Sequence, residues 1–212
     1  MGKRLGLRQW IALKLFKKLH KIRAKEHRLT TLFWECTLRC NLKCRHCGSD
    51  CTVNPEFKDM AEDIYQFIQL KGLERPAIFG FSDGGIVALQ LEVMHPGTLS
   101  AIATGGSNIF VKDALQPDFS EWFLNQPDPS PLTRMMMVEP NMSPEDMQTI
   151  MIPALIMAGE NDLIREEHTR LIGESIPNGE VLIVENADHG SYIYHNTFVG
   201  EKLLEFFNRI GY

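Results

Sequence analysis

Residues 77–85 have the sequence Ala-Ile-Phe-Gly-Phe-Ser-Asp-Gly-Gly, and this stretch decides the class of fold. Its first five residues form a short apolar run typical of a buried strand, and residues 86–94 predict a helix that stops before residues 95–97. The pattern Gly-x-Ser-x-Gly lies between them. Because glycines tolerate a turn too tight for side chains, we expect the Ser82 hydroxyl at the carboxyl end of the strand, above the positive end of the helix.

The same alternation of strand and helix continues to the end of the chain. Apolar runs at 99–104, 152–158 and 180–184 predict three more strands, and amphipathic patterns at 60–72, 166–176 and 197–210 predict helices. Regular alternation of this kind is typical of a parallel sheet that is covered on both faces. The sequence therefore predicts the α/β class, with a mostly parallel sheet.

Two polar residues directly follow the later strands in the same way that Ser82 follows the first. Asp162 comes after the strand at 152–158, and His189 comes after the strand at 180–184. Ligands bind at the carboxyl ends of the strands in such sheets. We therefore expect Ser82, Asp162 and His189 at one edge of the sheet.

Residues 60–211 resemble the α/β-hydrolase family, in which a nucleophile, an acid and a histidine follow one another in this order. The segments GFSDGG, AGENDLI and ADHGSY are similar to the corresponding segments of small bacterial carboxylesterase-like members. The resemblance implies that Ser82 is the nucleophile, His189 the general base and then acid, and Asp162 the group that orients the imidazole. It also implies that the backbone N–H of Asp83 is one donor of the oxyanion hole.

Three nearby ionisable side chains are alternatives to the residues of this triad. Asp83 and Asp188 adjoin the candidate positions and His168 follows Asp162 by six residues. We interpret all three side chains as surface or supporting residues.

Residues 108–151 stand where the family carries a cap over its pocket. The segment is rich in proline and methionine, with methionines at 135, 136, 137, 142 and 147. Methionine repacks around varied shapes, which suits a cap that contacts an apolar acyl or alcohol group. The alternative is that these methionines fill the core.

A complete member of the family has further strands before this region, and a loop after one of them donates the first oxyanion N–H. No segment of that type occurs upstream of Ser82 in this sequence. Losing one such donor costs about 3 kcal/mol of transition-state stabilisation.

The strand at 77–81 is internal in the family and needs a neighbour here. We predict that residues 31–37 form a strand that pairs in parallel with residues 77–81 through a right-handed crossover.

Charge divides the chain into two parts. Residues 1–52 contain 13 of the 22 Lys and Arg but 3 of the 27 Asp and Glu, a net charge of +10, whereas the rest carries 9 against 24, a net charge of −15. We predict a basic segment at 1–59 and a truncated hydrolase domain at 60–212.

The basic segment begins with a predicted amphipathic helix at 7–29. Its apolar positions recur at spacings of three and four, with lysines on the other sides. We expect it to pack on the body of the protein with a solvated basic face; contact with a membrane surface or with nucleic acid is the alternative. The chain has no aromatic-rich RNA motif and no zinc-finger spacing, so we expect no nucleic-acid partner.

A cysteine loop follows, with Cys40, Cys44 and Cys47 at the spacing C-x3-C-x2-C. Three thiolates on one loop can hold a 4Fe-4S cluster and leave one iron open. Residues 31–51 resemble the start of radical S-adenosylmethionine enzymes, which implies such a cluster with S-adenosylmethionine on the open iron. The barrel of that family does not follow, so an empty thiol loop or a zinc site is the alternative. Cys36 and Cys51 fall outside the pattern.

These patterns support three functional hypotheses. The first is a serine hydrolase that cleaves small esters through an acyl-enzyme and needs no cofactor. The second is a cluster-binding S-adenosylmethionine module, and the third is a composite chain without catalytic activity. Apolar runs are too short for a transmembrane segment or a secretory signal, so we expect a cytoplasmic protein; no feature specifies an oligomeric state.

Overall fold

The computed structural model describes residues 56–194 and 197–212. The predicted basic helix, the strand at 31–37 with its pairing, and all five cysteines lie outside these residues. The predicted boundary after residue 59 falls inside the first turn of the first described helix, which begins at Phe57. The division into two domains stays a prediction.

Four parallel strands form the described sheet, in the order β1-β2-β3-β4. The strands are β1 (Ala77–Phe81), β2 (Ala101–Gly105), β3 (Ala154–Asn161) and β4 (Gly179–Asp188). The register pairs Ala77 with Ala101 and Ala154 with Gly179, so the strands begin at nearly the same level. Their carboxyl ends therefore meet at one edge of the sheet.

Seven helices accompany these strands in the described ranges. They are α1 (Phe57–Lys71), α2 (Asp83–Met94), α3 (Pro117–Leu124), α4 (Pro131–Val138), α5 (Pro144–Met147), α6 (Glu166–Ser175) and α7 (Phe198–Arg209). Helices α1, α2 and α6 contribute to the apolar cluster on one face of the sheet, which includes Ile102 and Ile156. Helix α7 packs on the other face, where Phe206 belongs to a cluster with Ala103 and Met157.

The α/β class with a parallel sheet covered on both faces is confirmed. The strands and helices predicted within residues 60–210 are all present, with shifted ends: α1 begins three residues before the predicted start, and β4 extends to Asp188. Leu70, near the end of α1, is 84% exposed although it is apolar. The buried residues of this helix are Phe57, Ala61 and Ile68.

The segment between β2 and β3 carries α3, α4 and α5. Its start is tied to the loop after β3, because the N–H of Gln116 donates to the Leu163 carbonyl and the N–H of Arg165 donates to the Ala114 carbonyl. These bonds hold the predicted cap region over the edge of the sheet where the strands end. None of the helices in the described ranges has the length and apolar composition that crossing a bilayer requires.

Candidate active site

Ser82, Asp162 and His189 each directly follow a strand and meet at the carboxyl edge of the sheet. The Ser82 Oγ lies 3.2 Å from His189 Nε2, and His189 Nδ1 lies 2.6 Å from Asp162 Oδ1. Ser82 follows β1, Asp162 follows β3 and His189 follows β4. The structure thus brings together all three residues that the sequence singled out.

Ser82 occupies a backbone conformation that most side chains avoid. Its φ is 54° and its ψ is −121°, at the junction between β1 and α2. A non-glycine residue held there stores roughly 1–3 kcal/mol of strain, which the surrounding structure must offset. The Ser82 N–H donates to the Gly105 carbonyl at 2.7 Å, and this bond fixes the turn against β2.

The glycines in and beside the motif differ in whether a side chain would fit in their place. A Cβ at Gly80 would overlap the Gly84 carbonyl oxygen, and one at Gly85 would overlap the Ser107 hydroxyl. A Cβ at Gly84 would meet no atom within 4 Å. The expectation that both glycines flanking the serine leave room for the turn is therefore correct for Gly80 but not for Gly84, which is exposed to solvent.

Asp162 is 2% exposed, and both of its carboxylate oxygens accept backbone hydrogen bonds. The Gly159 N–H donates to Oδ2 and the Ile164 N–H donates to Oδ1, each at 3.1 Å. These donors and the imidazole of His189 satisfy a carboxylate that would otherwise be costly to bury. The orientation of the carboxylate is consequently fixed by the loop after β3.

The turn that carries His189 is held by the neighbouring acid, Asp188. Its Oδ1 accepts the N–H groups of Gly190 and Ser191 at 2.9 and 2.8 Å, and these hydrogen bonds lower the pKa of this exposed carboxyl. Asp188 therefore shapes the turn, in line with its interpretation as a supporting residue.

Two glycines that the sequence analysis did not single out make room for the site. A Cβ at Gly106, whose φ is +60°, would lie 2.7 Å from Cε1 of His189. A Cβ at Gly159 would overlap the Ala187 carbonyl oxygen. Gly106 directly follows β2, and Gly159 lies two residues before the end of β3. In the sequence, the only sign of their role was that each glycine stands close to the end of a predicted strand.

Asp83 lies beside the catalytic candidates as the first residue of α2. Its N–H therefore has no acceptor within the helix and is available to another group. Burial raises the pKa of its carboxyl, although the nearby His189 opposes this effect. Asp83 is half-buried and lines a cavity.

His168 is buried and has a structural partner. Its Nε2 accepts the N–H of Ile109 at 3.1 Å, and its ring packs edge-on against Phe110. Burial lowers its pKa to about 4, and the nearby charge of Arg165 contributes to the same effect. His168 is thus neutral near pH 7, and it supports the start of the cap segment.

A cavity of about 150 Å³ opens beside Ser82 and His189. An apolar cavity of this volume accommodates a group about as large as benzene. Most of the described lining residues are apolar, and they come from α1, α2, the cap segment and the loop after β3: Phe57, Ile86, Val111, Leu115, Phe119, Phe123, Met136, Leu163 and Ile164.

The methionines of the cap segment divide between the two roles that the sequence left open. Met135, Met142 and Met147 are buried in the main core cluster. Met136 lines the cavity, and Met137 packs on a smaller apolar cluster in the cap. Core filling therefore accounts for three of the five.

The predicted cluster ligands Cys40, Cys44 and Cys47 lie outside the described residues, so the 4Fe-4S and S-adenosylmethionine predictions remain predictions. Within the described ranges, no group of three or more His, Cys, Asp or Glu side chains is arranged to hold a metal ion.

Comparison with known proteins gives a short match in sequence and broad matches in structure. No protein-family model matches the chain. Over 66 residues it is 30% identical to the Bacillus subtilis (strain 168) protein named uncharacterized carboxylesterase nap. The match covers 30% of this chain and only 22% of that relative.

The structural matches extend over about three quarters of the chain. MGS-MChE2, an α/β-hydrolase from a metagenome of lagoon sediments at Mar Chica, Morocco, superposes with a TM-score of 0.59 and 21% identity, covering 74% of this chain and 72% of that one. A thermophilic esterase superposes with a TM-score of 0.59 and 20% identity, covering 78% of each chain. At these identities the likeness establishes the fold alone: the described chain has the α/β-hydrolase fold.

Proposed function

We propose that this protein is a serine hydrolase that cleaves small esters through an acyl-enzyme on Ser82. The single observation that carries the proposal is the continuous chain from Ser82 Oγ to His189 Nε2 and from His189 Nδ1 to Asp162 Oδ1, at 3.2 and 2.6 Å. This chain opens on a cavity lined by both Ser82 and His189. A hydroxyl, an imidazole and a buried carboxylate in this order are the groups that nucleophilic acyl transfer requires.

In the first half of the reaction, Ser82 Oγ attacks the ester carbonyl carbon while its proton passes to His189 Nε2. The tetrahedral intermediate collapses when the bond to the alcohol breaks, and the imidazolium gives its proton to the departing alkoxide. Asp162 accepts the Nδ1–H of His189 and stabilises the positive charge that the ring carries between these transfers. The products of this half are the free alcohol and the acyl-Ser82 ester.

In the second half, water takes the place of the alcohol. The water oxygen attacks the acyl carbon while His189 Nε2 removes a proton from the water. The same proton then passes to Ser82 Oγ as the bond between Ser82 Oγ and the acyl carbon breaks. The carboxylic acid leaves and the hydroxyl of Ser82 is restored. No oxidant, metal or cofactor enters this sequence of steps.

The N–H of Asp83 is our candidate for one oxyanion donor. Asp83 follows Ser82 directly, and as the first residue of α2 it has no intrahelical acceptor. The sequence shows no counterpart of the second donor upstream of Ser82. We therefore expect turnover about a hundredfold to a thousandfold below that of an enzyme with both donors.

The cavity volume supports small substrates, and the comparisons support esters. Its volume of about 150 Å³ admits a short aliphatic or single-ring group beside Ser82. The relative found by sequence is named a carboxylesterase. One of the structural matches is described as an esterase.

Covalent labelling with a fluorophosphonate probe tests the proposal without a choice of substrate. We expect the wild type to be labelled once, and Ser82→Ala to lose the label completely. Ser175→Ala, a serine at the end of α6, is the matched control and should label like the wild type. A folded wild-type protein that the probe leaves unlabelled would refute the proposal.

A further inference from the structure

The cavity beside Ser82 is lined by acidic residues and, among the described residues of its lining, by no lysine or arginine. Two acidic residues line it, Asp83 and Glu139. The remaining polar side chains of the described lining are Ser82, Asn108 and His189. The ionisable side chains of the described lining other than His189 are therefore both acidic.

The Asp83 carboxyl has no hydrogen-bond or ion-pair partner among the described residues. It is half-buried, and burial raises its pKa. Asp83 lines the same cavity as Ser82 and His189, and its carboxyl interacts electrostatically with His189. A desolvated carboxylate without a partner is costly in a folded protein, and a ligand cation in the cavity would offset that cost.

Glu139 stands in the cavity wall in a fixed orientation. Its Oε2 accepts the N–H of Phe57 at 3.0 Å, which connects the end of α4 to the first turn of α1. The aromatic side chains of Phe57, Phe119 and Phe123 also line the cavity. Aromatic faces attract alkylammonium groups, so carboxylates and rings together provide two kinds of interaction for a cation.

We propose that this cavity selects esters that bear a positive charge, such as a quaternary ammonium group on the acyl or the alcohol part, over neutral esters of the same shape and over anionic ones. The inference rests on the proposed hydrolase function of the same site. Asp83 and Glu139 are the residues that determine this specificity, through their carboxylates.

Isosteric substrate pairs provide the test, because they differ in charge and not in shape. Acetylcholine and 3,3-dimethylbutyl acetate differ by a nitrogen in place of a carbon on the alcohol side. The p-nitrophenyl esters of 4-(trimethylammonio)butyric acid and 5,5-dimethylhexanoic acid differ in the same way on the acyl side. In at least one pair we expect kcat/KM to favour the cation by about fivefold to tenfold at low ionic strength, and we expect added salt to reduce the preference.

Variants without one or both carboxylates test whether these groups cause the preference for the cationic ester. Asp83→Asn and Glu139→Gln remove a charge while they keep the backbone N–H groups and nearly the same side-chain volume, and the double variant should bring the ratio within each pair close to one. Glu174→Gln removes an exposed charge on α6 and is the matched control for net charge. Because the readout is a ratio of two substrates, a loss of folded protein changes both rates and leaves the ratio unaffected.

The outcomes separate this inference from the function on which it rests. A wild type that labels with fluorophosphonate and hydrolyses the neutral esters but shows no preference for the cation in either pair overturns the inference alone. A preference that persists in the double variant also overturns it. Absence of both labelling and ester hydrolysis overturns the proposed function itself.

Discussion

At the scale of single residues, His168 links pH to stability. Its ring is 4% exposed, and its Nε2 accepts a backbone N–H, which only the neutral ring can do. The pKa of His168 is lowered from 6.5 to about 4 in the folded protein. Between these two values the unfolded chain binds a proton that the folded chain does not, so folding becomes less favourable as the pH falls.

We predict that His168→Gln flattens this dependence. The wild type should lose up to roughly 3 kcal/mol of its free energy of unfolding through this group as the pH falls from 6.5 to 4. The glutamine amide oxygen can accept the Ile109 N–H without titrating, so the variant should lose less over the same interval. Urea denaturation of both proteins at a series of pH values measures the difference. A His168 ring that titrates near 6.5 by NMR would contradict the prediction.

At the scale of elements, the turn between β1 and α2 sets the position of the nucleophile. Gly80 and Gly84 occupy equivalent places in the motif but differ in their surroundings. The Cβ position of Gly80 is filled by the Gly84 carbonyl, while that of Gly84 faces open space. Gly84 is also the second residue of α2 and has a negative φ, where alanine is favoured over glycine.

We predict opposite effects for alanine at these two positions. Gly80→Ala should lower the free energy of unfolding by about 1–3 kcal/mol or more, because the turn must open. Gly84→Ala should leave it unchanged or raise it by up to about 1 kcal/mol, and should still label with fluorophosphonate. Chemical denaturation together with labelling distinguishes the two. Equal losses from both substitutions would show that the motif acts in some other way.

At the scale of the whole molecule, the sheet is stable only if both faces are covered. In the part of the chain that the structure describes, α7 is the one helix whose buried residues join the cluster with Ala103, Leu155 and Met157. Phe206 anchors this helix and is 1% exposed, whereas Leu204 on the same helix is 64% exposed. The two residues provide a matched test of this layer.

We predict that Phe206→Ala lowers the free energy of unfolding by about 3–5 kcal/mol, since it removes a fully buried aromatic ring. Leu204→Ala should change it by no more than about 0.5 kcal/mol. Midpoints of urea denaturation, with the slope checked for constancy, measure both. Since Asp162 and His189 directly follow β3 and β4, labelling should be lost together with the fold in Phe206→Ala. Similar midpoints for the two variants would show that α7 does not anchor the sheet.

The order of the described elements, and the fact that Ser82, Asp162 and His189 follow strands, were predictable from local sequence. A five-residue apolar run, a glycine turn and a following helix are consequences of backbone sterics and of side-chain periodicity, which act over a few neighbouring residues. These effects predicted β1, α2 and the position of Ser82 at the carboxyl end of β1. They also predicted that Asp162 and His189 follow strands, because parallel strands end at one edge.

Only the tertiary structure decided which groups touch. Asp83, Asp162 and Asp188 have the same side chain and all lie near strand ends, yet only the Asp162 carboxylate contacts His189 Nδ1. The contact between Ser82 and His189 joins residues 107 positions apart, and it depends on the order and register of four strands. The requirement for Gly106, the exposure of Leu70 and the division of the methionines between core and cavity were decided in the same way. Local sequence carries no information about distances across the sheet, because those distances arise when distant segments pack.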